Sequence, residues 1–178
     1  MATIRRLADI RDDIDFLVFP WDFSESLVGF KFSENVHTIY ITSGDVKLVG
    51  VELPKKLKTL YMSPNYNDFT GTVISEDLQN LHIQFNGHPK PIIGLNLPPK
   101  LIELTLYGCK IDNLVFPALK ILKTNASDVE NCDFNHELYI ISRLPIRNHK
   151  FEYVKFDGGW HYIYLKWPRT HFIKAATD

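Results

Sequence analysis

The apolar positions of this chain recur in one short string: an apolar residue, two variable residues, an apolar residue, one variable residue, an apolar residue. It reads Ile14-x-x-Leu17-x-Phe19, Val36-x-x-Ile39-x-Ile41, Leu57-x-x-Leu60-x-Met62, Leu78-x-x-Leu81-x-Ile83, Leu101-x-x-Leu104-x-Leu106 and, weakened, Leu119-x-x-Leu122-x-Thr124. The strings begin at 14, 36, 57, 78, 101 and 119, in steps of 22, 21, 21, 23 and 18 with a mean of 21. A further unit, Phe151-x-x-Val154-x-Phe156, follows after a gap of 32. Alternation at period two predicts a short strand with one face inward and one outward. One such strand cannot bury its apolar face alone, whereas neighbours stacked about 4.8 Å apart make a parallel sheet over a continuous core. Any apolar-rich chain holds a single string of this kind by chance. A succession at near-constant spacing predicts a solenoid.

The segments between strings agree. Leu53-Pro54-Lys55-Lys56-Leu57 and Leu97-Pro98-Pro99-Lys100-Leu101 share a lead-in, and Phe116-Pro117-Ala118-Leu119 is one residue shorter. Proline fixes φ and removes a donor, which suits an extended return segment. Three residues past the last apolar position stand Asn65, Asn86 and Cys109. At such a position an inward side chain would satisfy buried backbone groups of the next coil. No unit leaves room for a long helix, so the convex side should be extended or 3-10.

A stack of repeats needs covered ends. Thr3 as an N-cap and Ile4, Leu7, Ala8 and Ile10 at near-helical spacing predict a short helix over 3–13. Alternation over Leu27–Phe32 followed by Ser33-Glu34-Asn35 predicts a hairpin leading into the strand at Val36. Near the other end, Phe151–Phe156 and His161–Trp167 alternate around Asp157-Gly158-Gly159, which predicts a capping hairpin over 150–167. Val129 to Ile141 reads equally as a degenerate coil or a short helix. The chain divides into 1–35 as N-terminal cap, 36–127 as repeats and 128–178 as an irregular repeat with the hairpin, all within one 178-residue domain.

Composition narrows the classes. Apolar residues are 45% and charged residues 23%, a globular balance, and a formal net charge of −1 supplies no field for nucleic acid or anionic lipid. Two cysteines, Cys109 and Cys132, suggest a reducing compartment. The N-terminus runs straight into Asp9, Asp12, Asp13 and Asp15 without an apolar h-region, and no window resembles a membrane span. The expectation is an intracellular protein.

The pattern L-P-x-x-L-x-x-L-x-L-x-x-N resembles a leucine-rich repeat, and the Leu-Pro lead-in with its repeat length is similar to the FNIP subclass. Phe85-Asn86-Gly87-His88-Pro89-Lys90-Pro91-Ile92 is similar to that family's Phe-Asn-x-Pro-Ile signature with two extra residues before the proline, while Asn67-Asp68-Phe69 departs from it. The likeness covers roughly 36–127. It implies a leucine-rich-repeat horseshoe, a β-rich solenoid with short parallel strands on its concave face. It further suggests a source among giant viruses of amoebae, in particular the marseillevirus group, or among social amoebae. A viral source would place the protein in the host cytoplasm, with nucleus and virion as the other compartments allowed. No F-box-like segment precedes the repeats, so a ubiquitin-ligase adaptor role has no support.

Outward strand positions would line the concave sheet. The candidate partner-binding residues are Tyr40, Thr59, Tyr61, Asn80, His82, Gln84, Glu103, Thr105, Tyr107 and Lys123, centred on Tyr61, His82 and Tyr107. Side chains on adjacent rungs lie about 5 Å apart, so aromatics there can form a stripe. Exposed tyrosines offer stiff contact area with a polar tip. Tyr and Thr also suit any exposed strand, so pattern alone leaves both readings open. Lys55, Lys56, Lys58, Lys100, Lys110 and Lys120 would form a basic ridge on the leading side of the strands, or merely a solvated edge. Cys132-x-x-x-His136 is half a zinc motif with no second ligand pair, and Asn125-Ala126-Ser127 is a sequon with no secretory leader before it. Phosphate loops, nucleophile elbows and H-E-x-x-H are absent. The expectation is therefore a non-enzymatic scaffold without cofactor or metal. It would bind a protein partner rather than nucleic acid or membrane, as a monomer or weak dimer. The alternative is a structural, virion-packaged component that self-associates, for which the aromatic run Trp160, Tyr162, Tyr164 and Trp167 offers a surface.

Overall fold

The computed structural model describes residues 1–85, 91–109 and 119–124 with their side chains, and the backbone alone of 90, 110–112, 129–130, 138–142, 154–155 and 161–165. All six apolar strings fall in strands or lead into them. In chain order the strands are β1 (Ala2–Thr3), β2 (Phe16–Phe19), β3 (Thr38–Ile41), β4 (Thr59–Met62), β5 (Asn80–Gln84), β6 (Lys90–Pro91) and β7 (Glu103–Tyr107). They continue with β8 (Cys109–Asp112), β9 (Ile121–Thr124), β10 (Val129–Glu130), β11 (Leu138–Ser142), β12 (Val154–Lys155) and β13 (His161–Leu165). Ten of them form one sheet in the order β1-β2-β3-β4-β5-β7-β9-β11-β13-β12, and β10-β8-β6 form a second. From β1 to β11 all neighbours in the large sheet are parallel. The result is a parallel β-solenoid.

Registry explains the core. Leu17, Ile39, Leu60, Leu81, Leu104 and Leu122 pair rung to rung in one row, and none is more than 1% exposed. The first apolar positions, from Ile14 to Leu119, and the third, from Phe19 to Leu106, are buried on either side, and all join one cluster. At the weakened string Thr124 takes the inward place and is fully buried.

Two repeated turns bring each strand back. Leading into the strands, the N–H groups of Ile14, Val36, Leu57, Leu78 and Leu101 donate to the carbonyls of Arg11, Ser33, Pro54, Ser75 and Pro98. Proline and serine thus alternate at one place in the coil. Where serine stands, its hydroxyl donates to the coil before it: Ser33 to the Asp12 carbonyl at 3.1 Å and Ser75 to the Lys55 carbonyl at 2.5 Å. On the return side, Phe30, Val51 and Thr72 donate to Leu27, Leu48 and Phe69 across turns whose third residues, Gly29, Gly50 and Gly71, have φ near +70°. That conformation at this turn position selects glycine.

Several expectations change. The helix over 3–13 is a single 3-10 turn, Leu7–Asp9. Ile4, 1% exposed, donates its N–H to the Val18 carbonyl at 2.7 Å, so pairing to the first coil wins over helical spacing. Strand pairing therefore begins well before residue 36. The alternation over Leu27–Phe32 is no hairpin: Leu27 points into the core, Val28 points out beside Gly29, and the stretch is a coil's return path. Within 129–141 the described residues are in strands, Val129–Glu130 in β10 and Leu138–Ile141 in β11, which pairs parallel to β9, while 131–137 lie outside the described residues. The expected hairpin strands appear as β12 and β13, antiparallel to each other, with β13 also antiparallel to β11. Their connecting Asp157-Gly158-Gly159 lies outside the described residues, as do Asn86, the sequon, Cys132 and His136. Asn65 is exposed, not inward, because the coil turns in one residue earlier. Buried Ser43 and Pro64 hold that place, and the Ser43 hydroxyl donates to the Phe23 carbonyl at 2.7 Å. Cys109 does lie inward, and burial pushes its thiol up to about 12.

Candidate functional site

Because side chains alternate along each strand, the residues between the buried rows share the outer face of the large sheet. Parallel registry then stacks them in columns: Val18, Tyr40, Tyr61, His82, Thr105 and Lys123 in one, Phe16, Thr38, Thr59, Asn80, Glu103 and Ile121 beside it. Gln84 and Tyr107 pair on the far side. Nine of the ten expected binding residues are on this face, half-buried or exposed. Thr105 is the exception at 3% exposure. It is the short side chain in register between the longer His82 and Lys123.

The aromatics form a continuous row. Tyr40 and Tyr61 stack with centroids 5.1 Å apart and planes 14° apart, and Tyr61 and His82 stack at 4.3 Å and 18°. Tyr107 closes one end edge-on to His82 at 5.9 Å. Phe16 closes the other, tilted against Tyr40 at 5.1 Å. Phe16 lies outside the expected set because the strand at 16–19 falls in the 1–35 cap, and its registry with Thr38 is what adds it to the row. A shallow hollow of about 140 Å³ opens between Tyr40, Thr59, Tyr61, Asn80, His82 and Glu103.

The electrostatics of the face are muted. Lys123 Nζ lies 2.5 Å from Glu103 Oε1, so the two charges on this part of the sheet offset each other. Burial holds His82 below its ordinary pKa; the Lys123 ammonium acts in the same sense, against the opposing pull of Gln84 and the Glu103 carboxylate. His82 Nε2 is buried without a hydrogen-bond partner among the described residues. An unpaired buried ring nitrogen costs less on a neutral imidazole than on a cation.

No family model matches this chain, and no curated protein or solved structure matches it either. Among the described residues the lysine ridge is not a continuous basic strip, because Lys100 Nζ lies 2.5 Å from Asp77 Oδ1 and Glu76 is close enough to act on the same ammonium. A larger hollow, about 290 Å³, lies beside the lead-in turns between Leu53, Lys55, Val73 and Asp77, away from the aromatic row. Among the described residues no helix is long and apolar enough to cross a membrane.

Proposed function

We propose that the outer face of the large sheet binds a protein partner and that the chain is a non-enzymatic interaction scaffold. The observation that carries this is the ordered row Phe16–Tyr40–Tyr61–His82–Tyr107 on the solvent side of a rigid sheet. Pre-stacked rings lose little side-chain entropy on binding, and Tyr is enriched among the residues that dominate interface energies. Beyond the solenoid, we read the repeat as a leucine-rich repeat of the FNIP type, curved so that this face is concave, with β12 and β13 as its C-terminal cap. The Leu-Pro lead-ins, with Pro54 and Pro98 at one turn position, support that reading. A giant-virus source, with a host factor as partner, follows only from the sequence resemblance. Affinity capture from the natural host cell should recover a partner that the double variant Tyr61→Ala, Tyr107→Ala loses while keeping its β-sheet circular dichroism. Unchanged capture by the folded double variant would refute the assignment.

A second reading has its own observation. β12 pairs on one side only among the described strands, and such an edge is a template for another chain. If the protein instead works by self-association, its sedimentation coefficient should rise steeply with concentration, and Val154→Pro should abolish the rise.

A further inference from the structure

His82 holds the middle of the aromatic row. Its ring stacks on Tyr61 at 4.3 Å and 18°, and Tyr107 meets it edge-on at 5.9 Å. The side chain is half-buried, and its Nε2 is closed off from solvent without a hydrogen-bond partner. Among the described residues no other buried side-chain nitrogen or oxygen is in that position, and such an atom calls for a reason.

The groups around the ring favour its neutral form. From β4 it faces the Tyr61 phenol, from its own strand β5 the Gln84 amide, from β7 Glu103, Thr105 and the Tyr107 phenol, and from β9 the Lys123 ammonium. Glu103 and Lys123 are the charges in this set, and they are engaged with each other at 2.5 Å. An imidazolium carries N–H on both nitrogens, so protonation puts a donor at Nε2 where nothing accepts it. The Glu103 carboxylate, which would be the charged acceptor, is held by Lys123, and that ammonium repels a second cation. A cation over the Tyr61 face gains some attraction from the ring quadrupole. That contact still leaves Nε2 unpaired and the charge half-desolvated, whereas water satisfies both. His82 stands on the outer face of the sheet, so rotation about its own side-chain torsions carries the ring from the row into solvent.

We infer that His82 is a pH switch built into this face: on taking up a proton its ring leaves the Tyr61 stack for water and breaks the row in the middle. The continuous row belongs to the neutral state and the broken row to mild acid. A partner that covers the closed row holds His82 neutral, and by reciprocity acid weakens that partner's grip. This use of the switch rests on the binding face proposed above; the movement itself is a property of the free chain.

Histidine and tyrosine ring signals of the full chain, followed by NMR from about pH 7.5 to about pH 4.5, test it. His82 should protonate with one midpoint. The Tyr61–His82 ring NOEs should be lost, and the Tyr61 and Tyr107 ring shifts should move, with that same midpoint. In His82→Phe the tyrosine shifts should not follow this curve. Lys123→Met, which removes the opposing cation and frees Glu103, should raise the midpoint. A ring that takes its proton while the NOEs to Tyr61 persist would overturn the switch. So would a ring still neutral at the acid limit, tyrosine shifts that move alike in His82→Phe, a midpoint unmoved by Lys123→Met, or loss of the β-sheet circular dichroism before His82 titrates. If the NOEs persist while Tyr61→Ala, Tyr107→Ala loses host-cell capture, the binding face stands and only the switch falls. If the switch is seen while capture survives that double variant, the switch stands and the binding face falls.

Discussion

His82 joins packing and titration at one residue. Native His82 takes up its proton below the ordinary 6.5, whereas the unfolded chain does so near 6.5. Between these values the unfolded state holds more protons, so stability falls as pH drops through 6.5 until the native ring itself titrates. Urea midpoints measured from pH 7.5 to 5.5 should therefore fall further for the native sequence than for His82→Phe; parallel curves would contradict the burial of this ring. Glycines offer a graded test of a different kind. A methyl on Gly29 meets nothing within 4 Å, so Gly29→Ala should cost only the left-handed conformation, about 1 kcal/mol. The same methyl on Gly94 would lie 2.7 Å from the Thr70 backbone nitrogen, so Gly94→Ala should lower the urea midpoint clearly more. These two positions belong to a column, Gly29, Gly50, Gly71 and Gly94, that repeats in step with the strands. It stands in plain view in the sequence, but the eye drawn to leucines passes over a residue whose role is a sign of φ.

Strands and turns differ in how openly their residues announce them. Each strand is legible because inward positions must be apolar at period two, and a slip of one residue would expose Leu60 or Leu81. Turn positions obey a looser rule. At 54 and 98 proline fits because it needs no hydrogen-bond partner for a missing N–H, while at 33 and 75 serine fits by sending its hydroxyl to the coil before it. Two chemically unlike residues solve one problem, so the column does not read as a repeat from sequence alone. Ser75→Ala should remove one inter-coil hydrogen bond and cost about 1 kcal/mol in urea unfolding. The supposed 3–13 helix and 27–36 hairpin mislead for a related reason: their local spacing is real, but bonds to the neighbouring coil override it, from Ile4 N–H to the Val18 carbonyl in one and from the Ser33 hydroxyl and Asn35 amide to the Asp12 carbonyl in the other. Much of the proposed binding face is legible in the sequence as outward strand positions. Its closure by Phe16, and the burial of Thr105 between its neighbours, depend on registry between coils.

As a whole, the molecule is a stack in which each coil touches mainly the next, so stability is close to a sum over interfaces. A cavity in the central row weakens the interfaces on both sides of it. Leu81→Ala should cost about 2–5 kcal/mol, far more than Tyr61→Ala on the outer face one strand away, as read from urea midpoints. The most direct measurement is a methyl NOE experiment on protein with labelled leucines. Contacts from Leu81 to both Leu60 and Leu104, with none between Leu60 and Leu104, are expected if these residues occupy successive rungs of one buried spine. Leu81 methyls without those contacts, or open to a soluble paramagnetic agent, would contradict it.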